Sequence, residues 1–204
     1  AYWTSRGFMV ADVDYRGSTG YGRSYRHRLR GGWGVLDVDD CLSVAGYMVD
    51  VGRADPDRLA IKGGSAGGFT VLAALTFHDV FTAGASRYGV ADLAALAADT
   101  HKFESRYLDS MLGPLPDAAD IYRERSPIFA ADKLRDPVAI FQGTEDKVVP
   151  QTQAEEIVAS LRRRNIPHEF HLYEGEGHGW RKPETIAAFY KACDNFLRQY
   201  VLFA

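Results

Sequence analysis

Five apolar runs of strand length recur along the chain, at 7–15 (GFMVADVDY), 58–63 (RLAIKG), 82–89 (TAGASRYG), 137–143 (PVAIFQG) and 168–175 (HEFHLYEG). Between them apolar residues fall at helical spacing, in 35–51, 68–78, 152–164 and the final 183–203. Alternation of this kind predicts βαβ units, and therefore a mostly parallel sheet with helices on both faces, a three-layer α/β sandwich. Two intervals break the rhythm. Residues 15–34 (YRGSTGYGRSYRHRLRGGWG) read as a long irregular loop on the rim, and about 91–136 carries no convincing strand and reads as a mainly helical excursion above the sheet.

One junction concentrates glycine. Lys62-Gly63-Gly64-Ser65-Ala66-Gly67-Gly68-Phe69 lies between a predicted strand and a predicted helix. It lacks the G-x-G-x-x-G of a dinucleotide site and the terminal Lys-Ser/Thr of a phosphate loop. It does contain Gly63-x-Ser65-x-Gly67, the pattern of a nucleophile elbow, in which a strained serine is lifted above the sheet edge and small neighbours let strand and helix pass closely. A helix starting at Ala66 would aim its first free N–H groups at a developing oxyanion. The bland alternative is an ordinary glycine-rich βα turn.

A serine hydroxyl needs a base, and the base needs an orienting group. The run 137–143 ends in Gly143-Thr144-Glu145-Asp146, which puts Asp146 just past a strand end, with Glu145 as the alternative acid. After the next strand comes Glu174-Gly175-Glu176-Gly177-His178-Gly179, which puts His178 in the corresponding loop. The order Ser65, Asp146, His178 is that of α/β-hydrolases, and loops at the C-terminal edge of a parallel sheet converge on one crevice. His168 and His171 fall on opposite faces of a strand, and His27, His78 and His101 lack partners at ligand spacing, so no metal and no cofactor are expected.

Composition narrows the class. The 204 residues are 46% hydrophobic and 25% charged, enough for one domain over 1–204, and a net charge of −3 with interleaved signs creates no field for nucleic acid or an anionic membrane. Arg162-Arg163-Arg164 reads as the solvated end of a helix. No apolar run reaches the length that spans a bilayer. Cys41 and Cys193, both in helical segments, read as free thiols in a reducing, cytoplasmic setting. The opening residues read as a helix end leading into a buried strand, as in the C-terminal part of a longer polypeptide.

The segments DYRGSTGYGRSYR, WGVLDVDDC, DPDRLAIKGGSAGGFTVLAALTFHDVFTAGASRYGVADL, THKFESRYLD, SPIFAADKL, FQGTEDKVVPQTQAEEIVASLRRRNIP and YEGEGHGW together resemble the catalytic domain of the prolyl oligopeptidase family of serine peptidases, especially its acylaminoacyl-peptidase and dipeptidyl-peptidase branches. The resemblance implies an α/β-hydrolase fold lacking its first strands, and hydrolysis of short peptides with Ser65 as nucleophile, His178 as base and Asp146 as its orienter. It implies the Ala66 N–H as one oxyanion donor, and Phe103, Tyr107 and Tyr88 as lining of the substrate pocket. Val148 stands where some branches place an Arg or Asn that holds a substrate carbonyl. The family's second oxyanion donor and its β-propeller lie upstream of these residues, so the chain alone is expected to show an open sheet edge and weak activity. A homo-oligomer is a further expectation. Carboxylesterase action on the same fold, or a non-catalytic binding module, are the alternatives.

Overall fold

The computed structural model describes residues 1–99 and 106–204. Four strands, β1 (Ala60–Gly64), β2 (Ala83–Arg87), β3 (Val138–Gly143) and β4 (His168–Tyr173), form one sheet in the order β1-β2-β3-β4. Every pairing is parallel, with Ala60 opposite Ala83, Gly84 opposite Val138 and Val138 opposite His168. Parallel neighbours need a crossover, and the helical segments supply it.

Around the sheet run α1 (Gly22–His27), α2 (Leu36–Asp50), α3 (Ala66–Phe77), α4 (Leu93–Asp99), α5 (Tyr107–Met111), α6 (Ala119–Arg125), α7 (Gln151–Arg163) and α8 (Pro183–Leu197). The alternation along β3 divides the core in two. Val138 and Ile140 join a cluster that includes Phe69, Val71 and Leu75 of α3 and Ile157 and Leu161 of α7, whereas Ala139 and Phe141 meet Phe189, Cys193 and Phe196 of α8. Helices therefore cover both faces, as the sequence pattern predicts.

β3 is buried along its whole length, and α3 is buried from Gly68 to Thr76, so the elbow joins two inner elements. Each large apolar side chain buried there stabilises the fold by roughly 1.5–3 kcal/mol. Backbone approach sets the packing. A Cβ on Gly68 would lie 2.6 Å from the Gly89 Cα, and one on Gly63 would run into the Gly67 carbonyl.

Three expectations need correction. Residues 7–15 form no strand: among the described residues nothing pairs with them, and Met9 and Val10 are half exposed, while Trp3 and Phe8 pack against the α8 cluster. A strand is defined by its ladder, and an apolar run without a neighbour does not become one. The rim segment 15–34 contains the short α1 and is tied down by Arg16, whose guanidinium and backbone N–H donate to Asp40, and by Arg125, which donates to the Gly31 and Trp33 carbonyls. Arg162 and Arg163 are exposed at the end of α7, but Arg164 turns inward and donates to the carbonyls of Ala131, Asp132 and Leu134.

The 91–136 interval is helical as expected, built from α4, α5, α6 and a 3-10 stretch at Pro127–Lys133, with no strand among its described residues. The last predicted helix ends at Leu197 and continues as a wider π turn over Arg198–Leu202.

Candidate active site

Ser65 stands between β1 and α3 with φ 55° and ψ −120°, a positive-φ conformation that is costly for a residue with a Cβ. Its backbone N–H donates to the Arg87 carbonyl at 2.9 Å and its carbonyl accepts from Phe69 N–H at 3.0 Å, so the turn is held from β2 on one side and from α3 on the other. Ser86, buried on β2, donates its hydroxyl to the Gly68 carbonyl and ties the same helix start to the sheet. Ala66 is the first residue of α3, and its N–H belongs to the helix turn that lacks intrahelical acceptors.

His178 reaches this serine from the loop after β4. Its Nε2 lies 2.7 Å from Ser65 Oγ and its Nδ1 2.8 Å from Asp146 Oδ2. With Nδ1–H donating to the carboxylate, Nε2 is the acceptor facing the hydroxyl. The Asp146 side chain is fully buried, whereas that of His178 is 21% exposed, which leaves the imidazole partly open to solvent.

Asp146 is charged despite its burial. Removal from water opposes ionisation, but donors from His178, Val149 N–H and Val148 N–H outweigh it and hold the carboxyl below the usual carboxylate range. Both backbone N–H groups sit 2.9 Å from Oδ1. Glu145 is exposed, and its backbone N–H donates to the Glu176 carbonyl, so the acid beside His178 is Asp146.

The loops carrying Asp146 and His178 are stitched together. Thr144 N–H donates to the Tyr173 carbonyl, and Gly175 N–H donates to Thr144 Oγ1. Two residues that no sequence motif marks support this pair. Gln142, fully buried on β3, donates from Nε2 to the Val149 carbonyl at 3.0 Å and to Asp146 Oδ2 at 3.3 Å. The Glu176 carboxylate accepts from Arg181 N–H and Lys182 N–H at 3.0 Å each, and so anchors the His178 loop to the start of α8. A buried Gln in an apolar strand run is the one sequence signal for the first. No local pattern marks the second, because its partners lie across a turn.

The remaining predicted residues scatter. Tyr88 places its ring 4.8 Å from that of His178. Val148 is half exposed and contributes its N–H to Asp146 rather than a side chain to the serine. Tyr107 opens α5, is 57% exposed, and has no hydrogen bond or ring contact to Ser65 or His178 among the described residues. Phe103 and His101 lie outside the described residues. Within the described residues no cluster of three His, Cys, Asp or Glu side chains is arranged to hold a metal, and no helix is long and apolar enough to cross a membrane.

Residues 1–202 match the model of the prolyl oligopeptidase family. A puromycin-hydrolyzing peptidase of Mycobacterium tuberculosis is 50% identical, with a TM-score of 0.96 over 98% of this chain and 31% of its own. Dipeptidyl aminopeptidase BIII of Pseudoxanthomonas mexicana is 33% identical over 96% of this chain and 29% of its length. An acylamino-acid-releasing enzyme of Arabidopsis thaliana is 32% identical over 91% and 25% respectively. The chain thus spans less than a third of the length of these relatives.

Proposed function

The chain belongs to the prolyl oligopeptidase family, and on that premise we propose that it is the catalytic part of a serine peptidase that cleaves amide bonds in short peptides and related aminoacyl amides through an acyl-enzyme. One observation carries the reading: the continuous hydrogen-bonded line from Ser65 Oγ through His178 to buried Asp146. Supporting it are the family match and the names borne by its relatives, which include a dipeptidyl aminopeptidase, an acylamino-acid-releasing enzyme and a puromycin-hydrolyzing peptidase.

In the proposed sequence, Ser65 Oγ attacks the substrate carbonyl as its proton passes to His178 Nε2. Asp146 holds the ring in the tautomer with Nδ1–H and stabilises the imidazolium. The tetrahedral oxygen gathers negative charge in front of the Ala66 N–H, at the positive end of α3. His178 then returns the proton to the leaving amine. In the second half a water takes the place of the amine and attacks the acyl carbon as its proton passes to His178. The bond from that carbon to Ser65 Oγ then breaks, His178 returns the proton to Oγ, and the acid leaves.

Most of the length of the relatives lies outside the matched region, which supports a further domain in the working enzyme, in line with the β-propeller that the resemblance implies. The two thiols belong to the two different core clusters, on opposite faces of the sheet, and stand unpaired. That supports a reducing, cytoplasmic location.

Treating the full polypeptide with a fluorophosphonate tests the nucleophile whatever the natural substrate is, because the reagent needs only an activated serine. A single adduct is expected by intact mass, absent in Ser65→Ala, whose turnover of aminoacyl-anilides should fall on the order of 10⁶-fold. Ester hydrolysis with no anilide cleavage would overturn the peptidase assignment.

A further inference from the structure

Tyr88 directly follows β2 and holds φ 38°, a backbone state that a bulky aromatic residue rarely occupies. The strain has no outlet on either side. The Tyr88 N–H donates to the Phe141 carbonyl at 2.7 Å, which keeps the residue in register with β3. The next residue, Gly89, is pressed against Gly68, where a Cβ on Gly89 would lie 2.7 Å from the Gly68 carbonyl carbon. Strained conformations held by their surroundings gather at functional sites.

The strained backbone delivers a ring to a particular place. Tyr88 Cε2 passes 3.1 Å from where a Cβ on Gly64 would stand, so the ring lies along the elbow beside Ser65. On its other side its centroid is 4.8 Å from that of His178, at a tilt of 55°. Trp180 meets it edge-on at 5.6 Å, and the Arg87 guanidinium lies 5.4 Å from the Tyr88 ring centroid and 5.8 Å from that of Trp180. The phenol hydroxyl makes no hydrogen bond among the described residues, so the contact depends on the ring itself.

His178 needs such a support. Glycines flank it on both sides, and Gly179 has φ 103°, so the loop backbone has no neighbouring side chains with which to fix the imidazole. Its two hydrogen bonds define an axis but leave tilt about that axis free. A wall on one side removes that freedom.

We propose that Tyr88 is a positioning residue, whose ring braces the His178 imidazole against the elbow and keeps Nε2 directed at Ser65 Oγ. The proposal rests on the reading of Ser65 and His178 as nucleophile and base. It differs from a substrate-pocket role for Tyr88, since the ring acts through His178 and not through the ligand.

The test compares Tyr88→Phe, Tyr88→Leu and Tyr88→Gly in the full polypeptide, reading second-order fluorophosphonate labelling, kcat and KM for an aminoacyl-anilide, and the melting midpoint. Tyr88→Phe keeps the ring and should label within about twofold of the unmodified protein. Tyr88→Leu should lose kcat and labelling rate together, on the order of 10²-fold, the scale for misplacing a reacting group by about an ångström, with KM little changed. Glycine accepts the positive φ, so Tyr88→Gly should melt no lower yet be as slow, and it carries the test should the leucine variant not fold. Labelling of the leucine and glycine variants at the unmodified rate would overturn the inference alone, as would a raised KM with kcat intact. Absence of labelling in the unmodified protein would instead overturn the nucleophile reading, and the inference with it.

Discussion

The two halves of the candidate site are held in place by different forces. On the Ser65 side, close contacts dominate: Gly63 against Gly67, Gly68 against Gly89, and a helix buried from Gly68 to Thr76. On the Asp146 and His178 side, directed polar contacts dominate: Val148 and Val149 N–H on Asp146, Gln142 beside it, Thr144 on Gly175, and Glu176 on the start of α8. Steric fixation is insensitive to pH and intolerant of added volume. Polar fixation tolerates shape changes better and responds to protonation.

The sharpest way to separate the two is Asp146→Asn, which preserves shape and removes charge. We expect kcat for an anilide substrate to fall on the order of 10⁴-fold through loss of the correct histidine tautomer, while the melting midpoint at neutral pH drops only modestly, by the lost contribution of the ionised carboxylate, and the protein stays folded. A variant that retains more than a tenth of the activity would argue that the loop's carboxylate is structural. Next in size is Gly68→Ala, which probes the other half. The added methyl meets Gly89 and the Arg87 carbonyl, an overpacking that should cost about 1–3 kcal/mol in denaturant unfolding. Unchanged stability would show that the helix start has room to shift.

The smallest expected effect is a difference in pH dependence. Asp146 is depressed in the fold, so its contribution to stability is present above the ordinary carboxylate value of about 3.9 and drains away as the pH falls through its lowered pKa. Asp37 behaves oppositely. Buried at the head of α2, it has a pKa pushed up by desolvation, against donors from the Thr70 hydroxyl and Gly34 N–H. Its contribution is complete below the ordinary value and is lost as the pH rises through the raised one. Asp37→Asn should therefore flatten the stability curve above about pH 4, and Asp146→Asn the part below it, as read from denaturation midpoints across pH.

What could be read from the sequence follows the same division. The elbow is a local device in which strand, glycines and helix are contiguous, so the conformation of Ser65 can be anticipated from eight residues. β3 and α3 announce themselves as unbroken apolar runs because both are buried on all sides. The approach of Asp146 and His178 can be inferred only because both follow strand ends on the same edge of a parallel sheet. Glu176 and Arg164 escape a reading of the chain because their partners are backbone groups brought near by loops, which leave no period in it, and Gln142 shows only as a polar residue in an apolar strand run, without its partners. Residues 7–15 mislead for the complementary reason: apolar content can be read from the chain, but a pairing partner cannot.

The strand order has one more implication. Each strand joins the sheet beside its predecessor and in one direction, so β2 and β3 are direct neighbours, and the described residues of the connection between them, 88–99 and 106–137, insert no strand between the two. Between Gly89 and Pro137, whose carbonyl accepts from Gly84 N–H, none of the described residues contributes a rung to the ladder. The connection can lengthen, shorten or exchange its helices during divergence while the register that aligns Ser65, Asp146 and His178 stays intact. Variation beyond Gly89 and the alignment of the three polar side chains are thereby placed on separately heritable parts of one chain.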